Sequence, residues 1–164
     1  MAGARDRDEE EGRKKKACIF CRIVAGESPA SLFYEDELVL GLMDIAPVTE
    51  GHAMIIPRHH ATHLADLDEE TGRRLWTVAQ RTAVAIRDSG VRCEGINLFL
   101  ADGEAAFQEV FHVHLHVLPR YPGDGFRIIA AGGADPSRRE LDRVAGQIRR
   151  AYDRLWAAEE AETA

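Results

Sequence analysis

The chain carries three histidines in strict alternation with apolar residues, in the run His112-Val113-His114-Leu115-His116. Successive side chains of a β-strand point to opposite faces of the sheet, so the three imidazoles share one face and Val113 and Leu115 share the other. Imidazoles in such a strand are spaced about 6.6 Å apart. The run predicts a sheet with one face in a core and one face that carries chemistry.

Three alternating histidines have no packing role, because each buried imidazole needs a hydrogen-bond partner. Two kinds of chemistry use such a pattern. Neutral imidazole is a common metal ligand, which would suit a zinc-dependent hydrolase. The other is nucleophilic catalysis, in which one neutral imidazole attacks phosphorus and a neighbouring imidazolium stabilises charge or protonates the leaving group. The residues of the run leave both interpretations open.

The remaining sequence predicts an α+β domain. Short apolar runs bounded by turn residues predict five strands, at 31–34, 38–43, 52–57, 96–100 and 111–118. Apolar residues at three-to-four spacing predict one long helix between Asp68 and Ser89 and a second helix near the C-terminus. A short helical turn is expected over 18–24. Short connections between strands favour antiparallel pairing, so we expect a five-stranded antiparallel sheet with one long and one C-terminal helix.

We divide the chain into three segments. Residues 1–16 mix acidic and basic side chains with almost no apolar content, which predicts a disordered charged tail, although its basic run would also suit a nucleic-acid-binding arm. Residues 17–122 form the predicted domain. Residues 123–164 are expected to be a loop and a helix packed on that same domain.

Charge and hydropathy restrict the partners. A formal net charge of −7 argues against binding to nucleic-acid backbone, which depends on basic surface, but permits a small anionic ligand. No apolar run approaches the length of a membrane helix, which is about 18 to 20 residues, and the charged N-terminus is unlike a signal peptide. We therefore expect a cytoplasmic protein without a membrane partner. Three cysteines do not make a disulfide framework.

The stretch from Gln108 to Arg120, QEVFHVHLHVLPR, closely resembles the signature of the histidine triad (HIT) family. Upstream motifs resemble the bacterial Hint-like branch of that family in matching order. They are Cys18-Ile19-Phe20-Cys21-Arg22-Ile23, Tyr34-Glu35-Asp36, Leu42-Met43-Asp44-Ile45, Gly51-His52 and Ile56-Pro57-Arg58-His59-His60. The resemblance extends from about Cys18 to Pro122.

This resemblance implies a nucleotide hydrolase or transferase that acts on the α-phosphate of purine nucleoside phosphoramidates or dinucleoside polyphosphates. It implies a covalent nucleotidyl-histidine intermediate and no catalytic cofactor. It also implies a homodimer in which the sheets of two protomers join, an arrangement that would cover edge strands prone to aggregation.

The resemblance also assigns site residues by position. His114 would be the nucleophile, His116 would contact the scissile phosphate, and His52 and His112 would complete the imidazole cluster. The substrate-binding positions are Asp44, Ile45, Asn97 and Gln108. A carboxylate at Asp44 suits this role because it can accept hydrogen bonds from both ribose hydroxyls.

A structural zinc site found in part of the bacterial branch matches Cys18, Cys21, His60 and His112. Two thiolates and two imidazoles would give closed tetrahedral coordination, which holds structure and takes no part in the chemistry. The alternative is two buried thiols in an apolar turn.

Two positions depart from the family pattern. Ala101 stands where the family has Asn, and Phe107 stands where it has Gly next to Gln108. Bulk at Phe107 changes a place where backbone normally approaches phosphate closely. We expect an altered substrate preference, and the alternative is a nucleotide-binding module with impaired turnover.

Overall fold

The computed structural model describes residues 18–129, 132–133 and 135–163, so the predicted tail at 1–16 lies outside the described residues. Within these ranges the chain forms an α+β fold with five strands, as the sequence predicts. The helices and strands are, in chain order, α1 (Ile19–Val24), β1 (Leu32–Glu35), β2 (Val39–Met43), β3 (Ala53–Pro57), α2 (Glu69–Asp88), β4 (Gly95–Phe99), β5 (Leu115–Arg120) and α3 (Arg138–Thr163).

The five strands form one antiparallel sheet in the order β1-β2-β3-β5-β4. β5 lies between β3 and β4, with Met54 and Phe99 directly opposite His116 on its two sides. β5 is thus a central strand, and β1 and β4 are the edges.

The strand predicted over 111–118 was wrong at both ends, because β5 spans Leu115–Arg120. The pairing with β3 reaches only from Leu115 to Val117, and the chain before it is held differently. There the amide of Val113 donates to the carbonyl of Ala61 at 2.7 Å, outside the ladder. His112 and His114 therefore lie in the segment that leads into β5, and His116 alone of the three lies in the strand.

Alternation in the strands produces two cores. On one face of the sheet, buried Val39, Ile55 and Val117 pack with the apolar side of α2. On the other face, Leu40 and Ile56 pack with residues of α1. The face covered by α1 is also the face that carries His116, since His116 is opposite Met54 of this second core.

The long predicted helix is confirmed as α2, and its first turn is closed by Asp68. The Asp68 carboxylate accepts the amide of Thr71 at 2.8 Å and the hydroxyl of Thr71 at 2.7 Å. Such a side chain satisfies one of the four amides that have no partner inside the helix. The cap fixes where α2 begins over the sheet.

The described residues form two compact units, divided between Phe126 and Arg127. The second unit contains α3, whose start is fixed by Ser137 and Glu140: the amide and hydroxyl of Ser137 both donate to the Glu140 carboxylate. The predicted C-terminal helix is thus confirmed, and its packing on the first domain stays a prediction. Among the described helices, none combines the length and apolar character needed to cross a bilayer.

Replacing Asp68 with Ala should lower the free energy of unfolding by about 1 kcal/mol, because the Thr71 amide loses its partner. Urea denaturation followed by circular dichroism measures the change. Asp88→Ala is the matched control, since it removes the same charge from the other end of α2, where a negative charge does not favour the helix dipole. Equal stability of the Asp68→Ala variant and the wild type would contradict the capping role.

Candidate active site

His114 is held by the main chain beside β5. Its Nδ1 lies 2.7 Å from the carbonyl oxygen of His112. A carbonyl only accepts, so Nδ1 carries the proton, and Nε2 of the neutral ring holds a free electron pair. Within the described part of the chain, no hydrogen bond is made to Nε2 of His114. Every fully buried side-chain nitrogen or oxygen in that part has a hydrogen-bond partner, so Nε2 must be partly accessible to solvent. The ring therefore presents an open nucleophilic nitrogen.

His116 is oriented through a second histidine. The Val48 amide donates to Nδ1 of His52 at 3.3 Å, so the proton of a neutral His52 is on Nε2. That Nε2 lies 2.8 Å from Nδ1 of His116, which must accept. The remaining nitrogen of His116, Nε2, then carries a proton. A fixed backbone amide thus leaves His116 with an N–H to donate, and its ring centroid is 4.9 Å from that of His114.

Burial favours the uncharged form of His52 and of His116. Burial, with smaller effects from His114 and His52, lowers the pKa of His116 to about 4 against the opposing charge of Asp44. Burial also lowers the pKa of His52, and Asp44 again opposes it. Neutral rings have distinct donor and acceptor nitrogens, which the hydrogen bonds described above require.

Asp44 follows β2 and lies beside the two histidines. Its Oδ2 is 3.5 Å from His52 Nε2 and 3.9 Å from His116 Nδ1, while Oδ1 accepts the amide of Ala46 at 2.8 Å. The next residue, Ile45, is 98% exposed. The structure thus places the predicted acidic position and an open apolar side chain at the rim of the cluster.

Asp44, His52 and His116 also have the composition of a metal site, with their ligand atoms within 4.8 Å of one another. Ligation at His52 Nε2 would require Nδ1 to carry the ring proton. That proton would face the Val48 amide, which is itself a donor. The contact with Val48 therefore favours a hydrogen-bonded histidine pair over a metal site at this position.

Gln108 and Asn97, the two predicted amide positions, are both held by protein groups. Gln108 is 4% exposed, donates to the carbonyls of Thr62 and Val110, and accepts the amide of Gly103. Asn97 lies opposite Leu118 on β4 and accepts from Arg120. Gln108 therefore anchors the loop that precedes the histidines. Asn97 lies on β4 two residues before Phe99, the residue that pairs with His116.

The two departures from the family pattern lie at opposite extremes of exposure. Ala101 is buried at 3% exposure, whereas Phe107 is 83% exposed. Phe107 has φ 66° and ψ 30°, the left-handed region that favours glycine. A bulky side chain in this conformation is held open to solvent directly before the anchored Gln108.

Cys18, Cys21, His60 and His112 form a separate cluster on the side of α1. The distances from Cys21 Sγ to the Nδ1 atoms of His60 and His112 are 3.2 and 3.6 Å, Cys18 Sγ is 3.5 Å from His112 Nδ1, and the two Nδ1 atoms are 3.2 Å apart. Tetrahedral zinc with bonds of about 2.3 Å to sulfur and 2.0–2.1 Å to nitrogen spaces such atoms by about 3.3–3.6 Å. The donor set fits zinc.

A hydrogen bond further out prepares the His112 imidazole for a metal. His112 Nε2 donates to the Pro57 carbonyl at 2.9 Å, so its Nδ1 has a free electron pair directed at the cysteines. Burial lowers the pKa of His112 to about 4, although the bond to Pro57 opposes this. The structure thus separates the three histidines: the ring of His112 lies with the cysteines, that of His116 lies beside Asp44, and that of His114 contacts the rings of Phe20 and His116.

Sequence reasoning missed three groups that orient the site: the amide of Val48, the carbonyl of Pro57 and the ring of Phe20. The first two are main-chain groups and leave no side-chain signal in a sequence. Phe20 lies inside the Cys18-Cys21 motif, and its ring centroid is 5.7 Å from that of His112 and 5.3 Å from that of His114. Its position within the motif is the one available clue.

The fold and site define an α+β domain with a histidine cluster at its central strand. The family model of the HIT domain matches residues 25–123, and the chain belongs to this family, which confirms the resemblance seen in the sequence.

Individual relatives agree with that assignment. Protein hit of Bacillus subtilis is 39% identical over 133 residues, which are 80% of this chain and 91% of that protein. The adenylylsulfatase HINT3 of Arabidopsis thaliana is 35% identical over 118 residues, 70% of this chain and 58% of that protein. The crystal structure of a zinc-bound histidine triad family protein from Mycobacterium smegmatis has a TM-score of 0.66 at 44% identity, covering 88% of this chain and 99% of that chain.

Lowering the pH from 6.5 to 5 should destabilise the protein when a chelator is present. The unfolded chain protonates histidine near pH 6.5, whereas His112 and His116 in the folded chain do so only near pH 4. The stability that the neutral rings contribute is therefore present above pH 6.5 and is lost as the pH falls toward 4, by roughly 1 to 2 kcal/mol for each ring between pH 6.5 and 5.

Urea denaturation at several pH values measures this slope. His116→Gln should remove a large part of it, because the lowered pKa of His116 is one of its main sources. The assignment fails if His116→Gln retains the wild-type slope.

Proposed function

We propose that the protein is a nucleotide hydrolase or transferase that acts on the α-phosphate of nucleoside phosphoramidates or dinucleoside polyphosphates through a nucleotidyl-histidine intermediate. The observation that carries this proposal is the hydrogen bond from His114 Nδ1 to the carbonyl of His112. It leaves an unprotonated Nε2 on a neutral ring without a metal or a further base, which is the form an imidazole nucleophile requires.

The reaction has two steps. In the first, His114 Nε2 forms a bond to the α-phosphorus while the bond to the leaving group breaks, and the leaving group departs with the electron pair and takes a proton from water. In the second, a water molecule attacks the same phosphorus, the bond from phosphorus to His114 Nε2 breaks, and the proton that this water loses neutralises the hydroxide left by the first step. The nucleoside monophosphate is released and neutral His114 is restored. Transfer to an alcohol or amine would follow the same second step.

His116 would stabilise the charge that builds on the phosphoryl oxygens. Its Nε2–H is directed by the series of bonds from Val48 through His52, so the donor is in place before substrate arrives. The pair needs no reorganisation during the reaction. His52 then acts as a positioning residue, and His112 contributes its main-chain carbonyl rather than its ring.

Substrate binding would use the groups at the rim. The carboxylate of Asp44, beside His116, would accept hydrogen bonds from ribose hydroxyls, and exposed Ile45 would offer an apolar surface to a purine base. Asn97 would be a polar contact on the same face as His116. Gln108, anchored to three main-chain groups, would hold the loop that faces the phosphates.

Phe107 bears on the choice of leaving group. The exposed aromatic ring of Phe107 would favour a leaving group that contains an apolar or aromatic group. The glycine that the family has at this position would instead allow phosphate to approach the backbone closely. HINT3 of Arabidopsis is an adenylylsulfatase. Adenylyl sulfate therefore belongs in a substrate panel beside phosphoramidates and dinucleoside polyphosphates. Turnover of none of them, with nucleotide still bound, would support the alternative of a nucleotide-binding module.

We propose a structural zinc site at Cys18, Cys21, His60 and His112. The support is that the four ligand atoms lie within 4.8 Å of one another, that the Nδ1 of His112 has a free electron pair, and that a relative from Mycobacterium smegmatis is zinc-bound. Zinc there would link α1 to the segment that precedes β5. We retain cytoplasm as the expected location, where thiolates stay reduced and available to metal.

We also propose a homodimer in which two copies join through β4. This strand is an edge of the sheet, and its residues Leu98 and Phe99 are 36% and 38% exposed. Leu98 lies opposite Val117, on the face covered by α2. A second copy added at β4 would pair the edge and cover both apolar side chains.

Replacing His114 with Ala should reduce kcat by several orders of magnitude, because loss of a nucleophile removes the covalent step. Turnover of an adenosine phosphoramidate measures this loss. Acid-labile, base-stable label on the wild-type chain after rapid quench would identify the intermediate, and added imidazole should partly rescue His114→Gly.

His59→Gln is the matched control, since it removes an exposed imidazole outside the cluster and should leave turnover unchanged. Retention of more than about a tenth of wild-type turnover by His114→Ala, against the loss expected of a nucleophile, would refute covalent catalysis.

The wild type should behave as a dimer of about 36 kDa, twice the chain mass of 18.2 kDa, in light scattering at micromolar concentration. Leu98→Asp should shift it to the monomer, because a buried unpaired charge would oppose the joined sheet. Leu32→Asp places the same charge at the opposite edge and should leave the dimer intact. A monomeric wild type would disprove this interface.

A further inference from the structure

His112 belongs to two sites at once. Its ring lies with Cys18, Cys21 and His60, while its carbonyl accepts the Nδ1 proton of His114. Ring and carbonyl are parts of one residue with 0% exposure. Any rotation of the His112 backbone that follows a movement of its ring would move the acceptor that orients the nucleophile.

The cysteine motif reaches the nucleophile by a second route. Phe20 lies between Cys18 and Cys21, and its ring contacts those of both His112 and His114. The helix that carries it, α1, has only six residues, and a helix of this length is not stable by itself. Its position thus depends on packing and on whatever holds its two cysteines.

We propose that the metal cluster positions the catalytic nucleophile, with Phe20 and His112 as the positioning residues through which it acts. This inference rests on the proposed function of His114. With zinc bound, α1 and the His112 ring are fixed, Phe20 closes one side of His114, and the His112 carbonyl holds the proton on Nδ1. Without zinc, His112 and Phe20 gain freedom, and His114 populates the tautomer with its proton on Nε2, which cannot attack phosphorus.

The direct readout is the tautomer of His114, observed by nitrogen NMR of the full chain labelled at histidine, at one fixed pH. The signal is assigned by its loss in His114→Gln. The chain is compared as purified, after a chelator, and after readdition of zinc chloride. We expect the Nδ1–H form with zinc, a mixture without it, and recovery on readdition. The signal of His52, held by Val48, is an internal control and should stay the same.

Activity provides the second readout. Removal of zinc should lower kcat about 10- to 100-fold and change KM little. Loss of residues that orient the groups of a site, without themselves contacting the reacting atoms, has an effect of this size. Phe20→Leu should lower kcat while the chain still binds one zinc. Ile23→Leu makes a comparable change in α1, at a residue of the same core, and should leave kcat unaltered.

Three results would overturn the proposal: a purified chain that binds no zinc, a His114 tautomer unaffected by chelator, or a Phe20→Leu variant with wild-type kcat. The NMR measurement decides the coupling even if no substrate is turned over, so failure of the proposed function is distinguishable. The chelator series and Phe20→Leu test the idea without changing any of the four proposed metal ligands.

Discussion

The pairing of β3 with β5 is the constraint on which the rest of the structure depends. It sets Met54 opposite His116 and so brings His52, two residues earlier in the chain, within 2.8 Å of that ring. The same register sends Ile55 and Leu115 to the other face, under α2. A shift by one residue would exchange the two faces and place imidazoles in the apolar core.

Hydrogen bonds assign the donor and acceptor nitrogens of the histidine rings individually. Each ring nitrogen that matters meets a main-chain group of fixed polarity: His112 Nε2 the carbonyl of Pro57, His114 Nδ1 the carbonyl of His112, and His52 Nδ1 the amide of Val48. Backbone groups do not titrate, so these assignments persist across neutral pH. Burial disfavours the charged forms of His52, His112 and His116 by lowering their pKa values.

The proposed metal ligand His112 and the proposed catalytic residues His114 and His116 alternate in one short segment, yet the structure separates them. His112 turns toward the cysteines because the segment before β5 leaves the ladder and bonds instead to Ala61. His116, inside β5, keeps the orientation of a strand residue. His114 lies between them and contacts both groups, through the His112 carbonyl on one side and the His116 ring on the other.

The sequence by itself determined the α+β class, the five strands, the long helix with its cap at Asp68, and the family, because periodicity, turn residues and spaced motifs are local properties of the chain. The predicted strand over 111–118 shows the limit. The alternating pattern does not reveal that pairing with β3 begins only at Leu115 and pairing with β4 only at His116. Which way each histidine ring turns, which nitrogen holds the proton, and how Gln108 is anchored were decided by the tertiary structure. These depend on main-chain groups distant in sequence, at Val48, Pro57 and Thr62, and a main-chain group has the same chemistry whatever residue carries it.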